Sequence, residues 1–229
     1  MESQFRQPEY LSPDDEPIHR VRCPVHGFIH YSRKERKIVA HRLFRRLQFI
    51  KQLALTDYVY PGATHTRFEH SLGVMHIATQ AFDQLAKKKG ATLEEIFRKV
   101  PDLKSDTLAK ARQLVRLAAL LHDIGHAPFS HAAEDIIHKD SGHEELGVKI
   151  IREKDFLGEL IDKTFFAACA SVVARIIEKG NKLEPQLKVL KDIISGQMDA
   201  DRTDYLLRDS HHSGVEYGRF DYRRMIELR

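Results

Sequence analysis

The sequence predicts a mainly α-helical fold with one small β-hairpin near the N-terminus. Through most of the chain, apolar residues recur three or four positions apart, as in Leu114, Leu117, Ala118 and Leu121, which places them on one face of a helix. In contrast, the segment IHRVRCPVHGFIHYS, which begins at Ile18, has two short extended runs around a tight turn. We therefore expect a helical domain in which this hairpin is the only sheet.

The elements follow one another along a single predicted domain. Residues 1–17 contain three prolines and the acidic run DDE, which predicts a flexible arm. Residues 18–229 carry no internal repeat and no long glycine-rich linker, so they are predicted to form one domain. After the hairpin, apolar spacing predicts a helix through Leu43, Leu47, Ile50 and Ala54. Further helices are predicted at 71–88, 92–100, 131–138, 144–153, 156–179 and 188–208.

Composition excludes several classes of protein. With 42% hydrophobic residues among 229, the chain can build a core, which argues against disorder and fibrous structure. The longest apolar run, Phe165 to Ala170, has 6 residues, far fewer than the roughly 18 that span a bilayer. The N-terminus lacks the apolar core of a signal peptide. We therefore expect a soluble, cytoplasmic protein with no membrane partner.

The net charge is compatible with a polyanionic partner, and the histidine content is compatible with metal binding or proton transfer. Thirty-seven Lys and Arg against 33 Asp and Glu give a formal charge of +4, which suits either a nucleic-acid binder or an enzyme with a phosphorylated substrate. Histidine can ligate a metal or transfer protons near neutral pH. Five of the 14 histidines fall within 22 residues: His122, His126, His131, His138 and His143.

The pair His122 and Asp123 directly follows an apolar helix, where an unpartnered carboxylate is costly to bury. A bound cation would remove that cost, although a capping aspartate beside a hydrogen-bonded histidine would also explain the pair. Farther along, Asp201, Tyr205 and Asp209 repeat every four residues on one helix face, which is a poor core face. Solvated salt bridges, such as one between residues 204 and 208, would explain part of that segment without a function.

Four ordered motifs strengthen the functional interpretation. His70, the adjacent His122 and Asp123, and then Asp201 reproduce the H…HD…D order of the HD-domain metal-dependent phosphohydrolases. Their surroundings, RRLQFIKQL, YPGATHTRFEHSLGV, LLHDIGHAPFSH and DADRTDYLLRDSHHSG, resemble the deoxynucleoside triphosphate (dNTP) triphosphohydrolase branch of that family. The resemblance runs from about Val25 to the C-terminus and includes no SAM domain. It implies an HD-domain helical bundle.

The resemblance also implies a cofactor and a reaction. His70, His122, Asp123 and Asp201 match the ligands of one divalent metal ion, and a mixed nitrogen and oxygen set is compatible with Mn, Fe, Mg or Zn. The family reaction is hydrolysis of a dNTP at the α-phosphate, which releases the deoxynucleoside and triphosphate. The positions that match catalytic residues are His131, Glu134, His126 and His143. The positions that match substrate contacts are Arg67, Arg202, Gln52, Leu53, Tyr205 and Asp209.

Other interpretations of the same residues stay open. Family members usually continue beyond this point, so the C-terminal part of the family fold is expected to be absent, either because the sequence is a fragment or because the protein is a compact form with a more open pocket. An HD phosphohydrolase of nucleoside monophosphates, alarmone nucleotides or nucleic-acid ends is one alternative. A non-catalytic module that binds nucleotide or nucleic acid is another. The expected partners are a nucleotide substrate, with dNTP favoured, and further copies of the chain in a homo-oligomer, whereas nucleic acid is the weaker expectation.

Overall fold

The computed structural model describes residues 15–129, 142–180 and 183–228, and these confirm the predicted fold class. Strands β1 (His19–Cys23) and β2 (Gly27–Tyr31) pair as an antiparallel hairpin with Val21 opposite Ile29. The helices are α1 (Arg33–Val39), α2 (Arg42–Arg45), α3 (Arg67–Phe97), α4 (Thr107–Leu121), α5 (His143–Arg152), α6 (Glu159–Thr164), α7 (Cys169–Ile177), α8 (Pro185–Ser195), α9 (Ala200–Ser213) and α10 (Tyr222–Leu228). Short 3₁₀ turns cover Arg46–Phe49, Thr56–Tyr58 and Pro101–Leu103, and a π turn covers Lys154–Gly158.

Helix α4 lies at the centre of the bundle and packs against α3, α7 and α8. The apolar residues that predicted this helix, Leu114, Leu117, Ala118 and Leu121, are all fully buried. Burial of one leucine side chain stabilises a fold by about 1.5–3 kcal/mol, so this helix is a major contributor to the core. Within the described residues, no helix combines the length and the apolar content needed to cross a membrane.

The predicted helix from Leu43 to Ala54 is wrong beyond residue 49. Helix α2 passes into a 3₁₀ turn, Ile50 has extended backbone, and residues 52–55 form a turn. The Arg67 amide donates to the Ile50 carbonyl at 2.9 Å, and the Gln52 amide donates to the His65 carbonyl at 3.0 Å. Hydrogen bonds to a segment about 15 residues away thus replace the helical ones. Local apolar spacing could not indicate this pairing.

Three other helix boundaries also differ from the predicted ones. Helix α3 joins the predicted 71–88 and 92–100 segments across a kink at Lys89. The predicted 156–179 helix is interrupted before α7, where Ala168 has a φ of 63°. The predicted 188–208 helix is divided because Gly196 ends α8 in extended backbone and Asp199 starts α9 as its N-cap. The predicted 131–138 helix lies outside the described residues.

The start of the described chain is attached to the domain. Asp15 is buried and accepts hydrogen bonds from Lys34 at 3.1 Å and from Gln113 at 2.7 Å. The rest of the predicted arm up to residue 14 lies outside the described residues. Within the described part, the hairpin packs against α3, which brings its turn close to the helix that carries His70.

Candidate active site

The start of α3, the end of α4 and the first turns of α9 meet at a cleft of about 450 Å³. Eleven of the side chains that the sequence nominated for the site line this cleft: Gln52, Leu53, Arg67, His70, His122, Asp123, His126, His143, Asp201, Tyr205 and Asp209. Of the other three, Arg202 is exposed and is not among the lining residues, while His131 and Glu134 lie outside the described residues.

Three side chains converge as a candidate metal site. One ligand atom each from His70, His122 and Asp201 lies within 4.8 Å of the others. Asp201 Oδ1 is 3.0 Å from His70 Nε2 and 3.7 Å from His122 Nε2. Two ligands bound to one ion at about 2.1 Å lie roughly 3–4 Å apart, so the spacing fits a shared divalent cation. His122 Nδ1 donates to the Ala119 carbonyl at 2.7 Å, and its buried Nε2 has no hydrogen-bond partner among the described residues.

Asp123, the fourth nominated ligand, lies beside this group of three. Its Oδ2 is 3.8 Å from His70 Nε2, and its Oδ1 is 3.4 Å from His122 Nε2. Arg67 donates to the same Oδ2 at 2.5 Å. The nominated phosphate-binding arginine therefore neutralises the nominated ligand, and both belong to one charged cluster in the cleft.

The electrostatics of the cluster favour positive charge at its centre. Burial disfavours a charged imidazole, but hydrogen bonds to Asp201 and Asp204 outweigh that effect and raise the pKa of His70 to about 10. Burial also opposes ionisation of Asp123, yet His122 and Arg67 hold the pKa of its carboxyl well below the usual range. Buried carboxylates that stay ionised around two histidines provide the field that a divalent cation requires.

His126 and His143 form a stacked pair beside the metal cluster. Their ring centroids are 3.8 Å apart and the interplanar angle is 17°. Burial lowers the pKa of His126 to about 4, which keeps this imidazole neutral at pH 7. Gly125 permits the pairing, because a Cβ there would collide with the His143 carbonyl and the Gly147 amide. The start of α5 can thus approach the turn that follows α4.

Arg46 supports this turn, and its role was not predicted. Its guanidinium donates to the carbonyls of Ile124 and His126, at 2.6 Å in the second case. The guanidinium thereby holds the backbone that carries Asp123 and His126 in place. The RRLQFIKQL motif marked the segment, but nothing in the sequence indicated a contact 80 residues away.

The interaction between Asp204 and Arg208 is a correction to the sequence interpretation. A solvated salt bridge was the alternative there, whereas both side chains have 0% exposure. Arg208 binds the carboxylate through Nε at 2.8 Å and Nη2 at 2.9 Å. His70 Nδ1 donates to Asp204 Oδ2 at 2.8 Å. The pair therefore lies directly behind a candidate metal ligand.

The other end of the cleft holds Tyr205 and Asp209 on one face of α9, as their four-residue spacing predicted. His65, which is buried, donates from Nε2 to Asp209 Oδ1 at 2.8 Å and stacks on His212 at 4.6 Å. This histidine orients the carboxylate toward the cleft. Sequence reasoning missed His65, because its partner lies 144 residues away.

Several further lining residues had no signal in the sequence: Ile176, Ile177, Lys179, Ile194 and Ser195. They come from the C-terminal ends of α7 and α8 and the residues that follow α7. Only tertiary packing determines where these helix ends lie. Lys179 forms an ion pair with Glu144, which follows His143 at the start of α5. The cleft rim therefore has a cation that the sequence analysis did not nominate.

Comparison with known proteins identifies the family of this chain. The family model described as "HD domain" matches residues 67–209, which include His70, His122, Asp123 and Asp201. An uncharacterised protein of Methanocaldococcus jannaschii is 39% identical over 206 residues, or 90% of this chain. The deoxynucleoside triphosphate triphosphohydrolase SAMHD1 of Gallus gallus is 32% identical over 242 residues, also covering 90% of this chain.

A solved structure extends the similarity to the fold. A phosphohydrolase from Bacteroides thetaiotaomicron superposes with a TM-score of 0.72 over 92% of this chain at 34% identity. This chain spans 36% and 35% of the two sequence relatives and 46% of the solved structure, so it matches less than half of each. By its family model, its relatives and its fold, the chain belongs to the HD-domain family.

Proposed function

We propose that this chain is the catalytic part of a metal-dependent phosphohydrolase that hydrolyses dNTPs at the α-phosphate. The observation that carries the proposal is the convergence of His70, His122 and Asp201 in a cleft that also holds Arg67. Similarity to a relative named as a dNTP triphosphohydrolase supports the substrate class. The products are a deoxynucleoside and inorganic triphosphate.

The metal site in this proposal consists of His70, His122 and Asp201, with Asp123 as a fourth ligand within 3.8 Å of both imidazoles. Two imidazoles with carboxylates suit Mn, Fe, Mg or Zn. When bound, such an ion supplies Lewis-acid stabilisation of charge on the phosphoryl oxygens. Among the described residues, the buried Nε2 of His122 makes no hydrogen bond and has carboxylate oxygens of Asp123 and Asp201 at 3.4 and 3.7 Å, which fits a cation at this point.

The chain's own residues bind and orient the nucleotide. Arg67 in the cleft offers positive charge to the phosphates, and Arg202 and Lys179 extend it outward. Tyr205, Gln52 and Leu53 contact the sugar in this proposal. In this proposal Asp209, whose Oδ1 is held by His65 at 2.8 Å, accepts from the 3′-hydroxyl.

Proton transfer completes the reaction. The 5′-oxygen that leaves the α-phosphorus needs a proton, and imidazole titrates in a suitable range. By the resemblance of the PFSH segment to the family motif, we assign that donation to His131 and the role of its acidic partner to Glu134, both outside the described residues. The neutral His126 and its stacked neighbour His143 line the cleft.

Resemblance to the dNTP triphosphohydrolase branch also leads us to propose a homo-oligomer, which light scattering would detect as a mass above 26.5 kDa.

Product analysis tests the reaction. Protein supplied with Mn²⁺ is incubated with dNTPs, NTPs, nucleoside monophosphates and short single strands in ¹⁸O-labelled water, and the products are separated by anion exchange. We expect deoxynucleoside and triphosphate, with the label in triphosphate, and no activity in His122→Ala. Deoxynucleoside diphosphate with orthophosphate would contradict attack at the α-phosphorus, deoxynucleoside monophosphate with inorganic diphosphate would contradict release of triphosphate, and label in the deoxynucleoside would contradict attack at phosphorus.

A further inference from the structure

The Asp204 carboxylate lies behind the metal cluster, and all of its contacts are buried. Its side chain has 0% exposure, and four hydrogen bonds reach its two oxygens. Arg208 donates two of them at 2.8 and 2.9 Å, His70 Nδ1 donates one at 2.8 Å, and His26 Nε2 donates one at 2.5 Å. Both oxygens are therefore occupied by protein donors, and the carboxylate does not itself face the cleft.

The contact with His70 determines which nitrogen of that ring faces the cluster. Because Nδ1 carries the proton given to Asp204, the other nitrogen, Nε2, points toward Asp201 at 3.0 Å. A carboxylate behind a metal-binding imidazole sets the tautomer and limits ring rotation. Asp204 thus acts on the metal site through His70 and does not contact the cleft.

His26 adds a second constraint from a distant part of the chain. It lies in the turn between β1 and β2, 178 residues from Asp204, and its side chain has 0% exposure. Its ring packs 5.5 Å from that of His76 and edge-on to Tyr222 at 6.0 Å. Charge neutralisation does not require this contact, because Arg208 already pairs with the carboxylate. The remaining effect of His26 is positional, because His26 holds Asp204 Oδ1 while His70 binds Oδ2.

The backbone of α3 also confines Asp204. A Cβ at Gly73, one turn after His70, would overlap both the Asp204 carboxylate and the Arg208 guanidinium. Glycine there lets α9 approach α3 closely enough for the His70 contact. Contacts with the hairpin turn and with α3 therefore both restrict the position of the carboxylate.

We propose that Asp204 is a positioning residue for the metal site. Through Asp204, His26 couples the position of the N-terminal hairpin to the orientation of the His70 ring. The inference rests on the proposed function only in requiring that His70 bind a metal ion. It makes the hairpin turn, which lies outside the family match at 67–209, a determinant of metal affinity.

Calorimetric titration with Mn²⁺ alone tests this inference on the purified 229-residue chain. His26→Ala removes the donor while leaving the Asp204 and Arg208 pair intact, and His26→Gln restores a donor at a similar reach. Asp83→Asn is the matched control, since it weakens the ion pair with Arg112 at 2.7 Å on another face of α3. Outer contacts of metal ligands typically change affinity 10- to 100-fold, and His26 acts one step farther out.

We expect His26→Ala to weaken Mn²⁺ binding about 10-fold, His26→Gln to recover most of that loss, and Asp83→Asn to leave binding unchanged. Equal affinity in wild type and His26→Ala, or equal weakening in Asp83→Asn, would overturn the inference. Failure of the glutamine variant to recover affinity would also count against it. A wild-type chain that binds no divalent ion would instead overturn the proposed function from which this inference starts, so the two failures are distinguishable.

Discussion

Two buried pairs of carboxylate and arginine hold different regions of this molecule together. Glu35 in α1 accepts from Arg116 of α4 at 2.5 and 2.8 Å, and it also accepts from the Ser32 amide as part of a capping box. Asp204 accepts from Arg208 within α9. Both carboxylates are at most 4% exposed, so burial and charge do not separate them.

The remaining contacts of each pair make the difference. Arg116 also donates to Thr79 of α3 and to the His30 carbonyl of β2, so the first pair joins elements of the fold to one another. Asp204 uses its remaining capacity on His26 and His70, so the second pair joins the fold to the candidate metal site. Two similar ion pairs therefore support stability alone in one case, and stability and site geometry in the other.

The largest expected effect comes from neutralising each carboxylate in turn. Glu35→Gln and Asp204→Asn each remove the nearest carboxylate from a buried guanidinium, and breaking a buried ion pair in this way costs about 3–5 kcal/mol of unfolding free energy. Urea denaturation should show similar losses for both. Mn²⁺ titration of the folded variants should show weaker binding for Asp204→Asn alone. Weakened binding in Glu35→Gln would remove the distinction between the two pairs.

A smaller effect is expected from adding one methyl group beside the Asp204 pair. Gly73→Ala forces a Cβ against the carboxylate and guanidinium, and overpacking of this kind costs about 1–3 kcal/mol. Gly90 lies in the same helix, where the nearest atom to an added Cβ is 3.9 Å away. Gly90→Ala should therefore stabilise the protein by about 0.4–1 kcal/mol. Chemical denaturation that gave both substitutions the same sign would contradict the close packing described for Gly73.

The smallest expected effect is the response of the Glu35 pair to acid. Burial raises the pKa of Glu35, but Arg116 outweighs it and holds the pKa below the ordinary 4.5. The carboxylate therefore contributes stability above pH 4.5, and that contribution is lost as the pH falls through the folded-state pKa. One group changes unfolding free energy by at most about 1.4 kcal/mol per pH unit, so its loss between pH 4.5 and 4 is under about 0.7 kcal/mol. Denaturation between pH 7 and 4 should show a shallower decline in Glu35→Gln than in wild type.

Much of the fold was predictable because its signals are local. The spacing of Leu114, Leu117 and Leu121 marked α4, and the CPVHG turn marked the hairpin. Helix ends were predicted less well, because they depend on contacts between distant segments. Ile50 leaves the helix to pair with Arg67, and no pattern near Ile50 indicates that partner.

The sequence by itself determined the helical class, the order of the motif residues His70, His122, Asp123 and Asp201, and the acidic and phenolic face of α9. These features depend on residue spacing within one element or on an ordered motif. Only the tertiary structure decided that Asp204 lies behind His70, that His26 and Arg208 occupy its oxygens, and that His65 holds Asp209. The physical reason is that burial and hydrogen bonding between side chains up to 178 residues apart arise from the packing of the hairpin, α3 and α9 against one another.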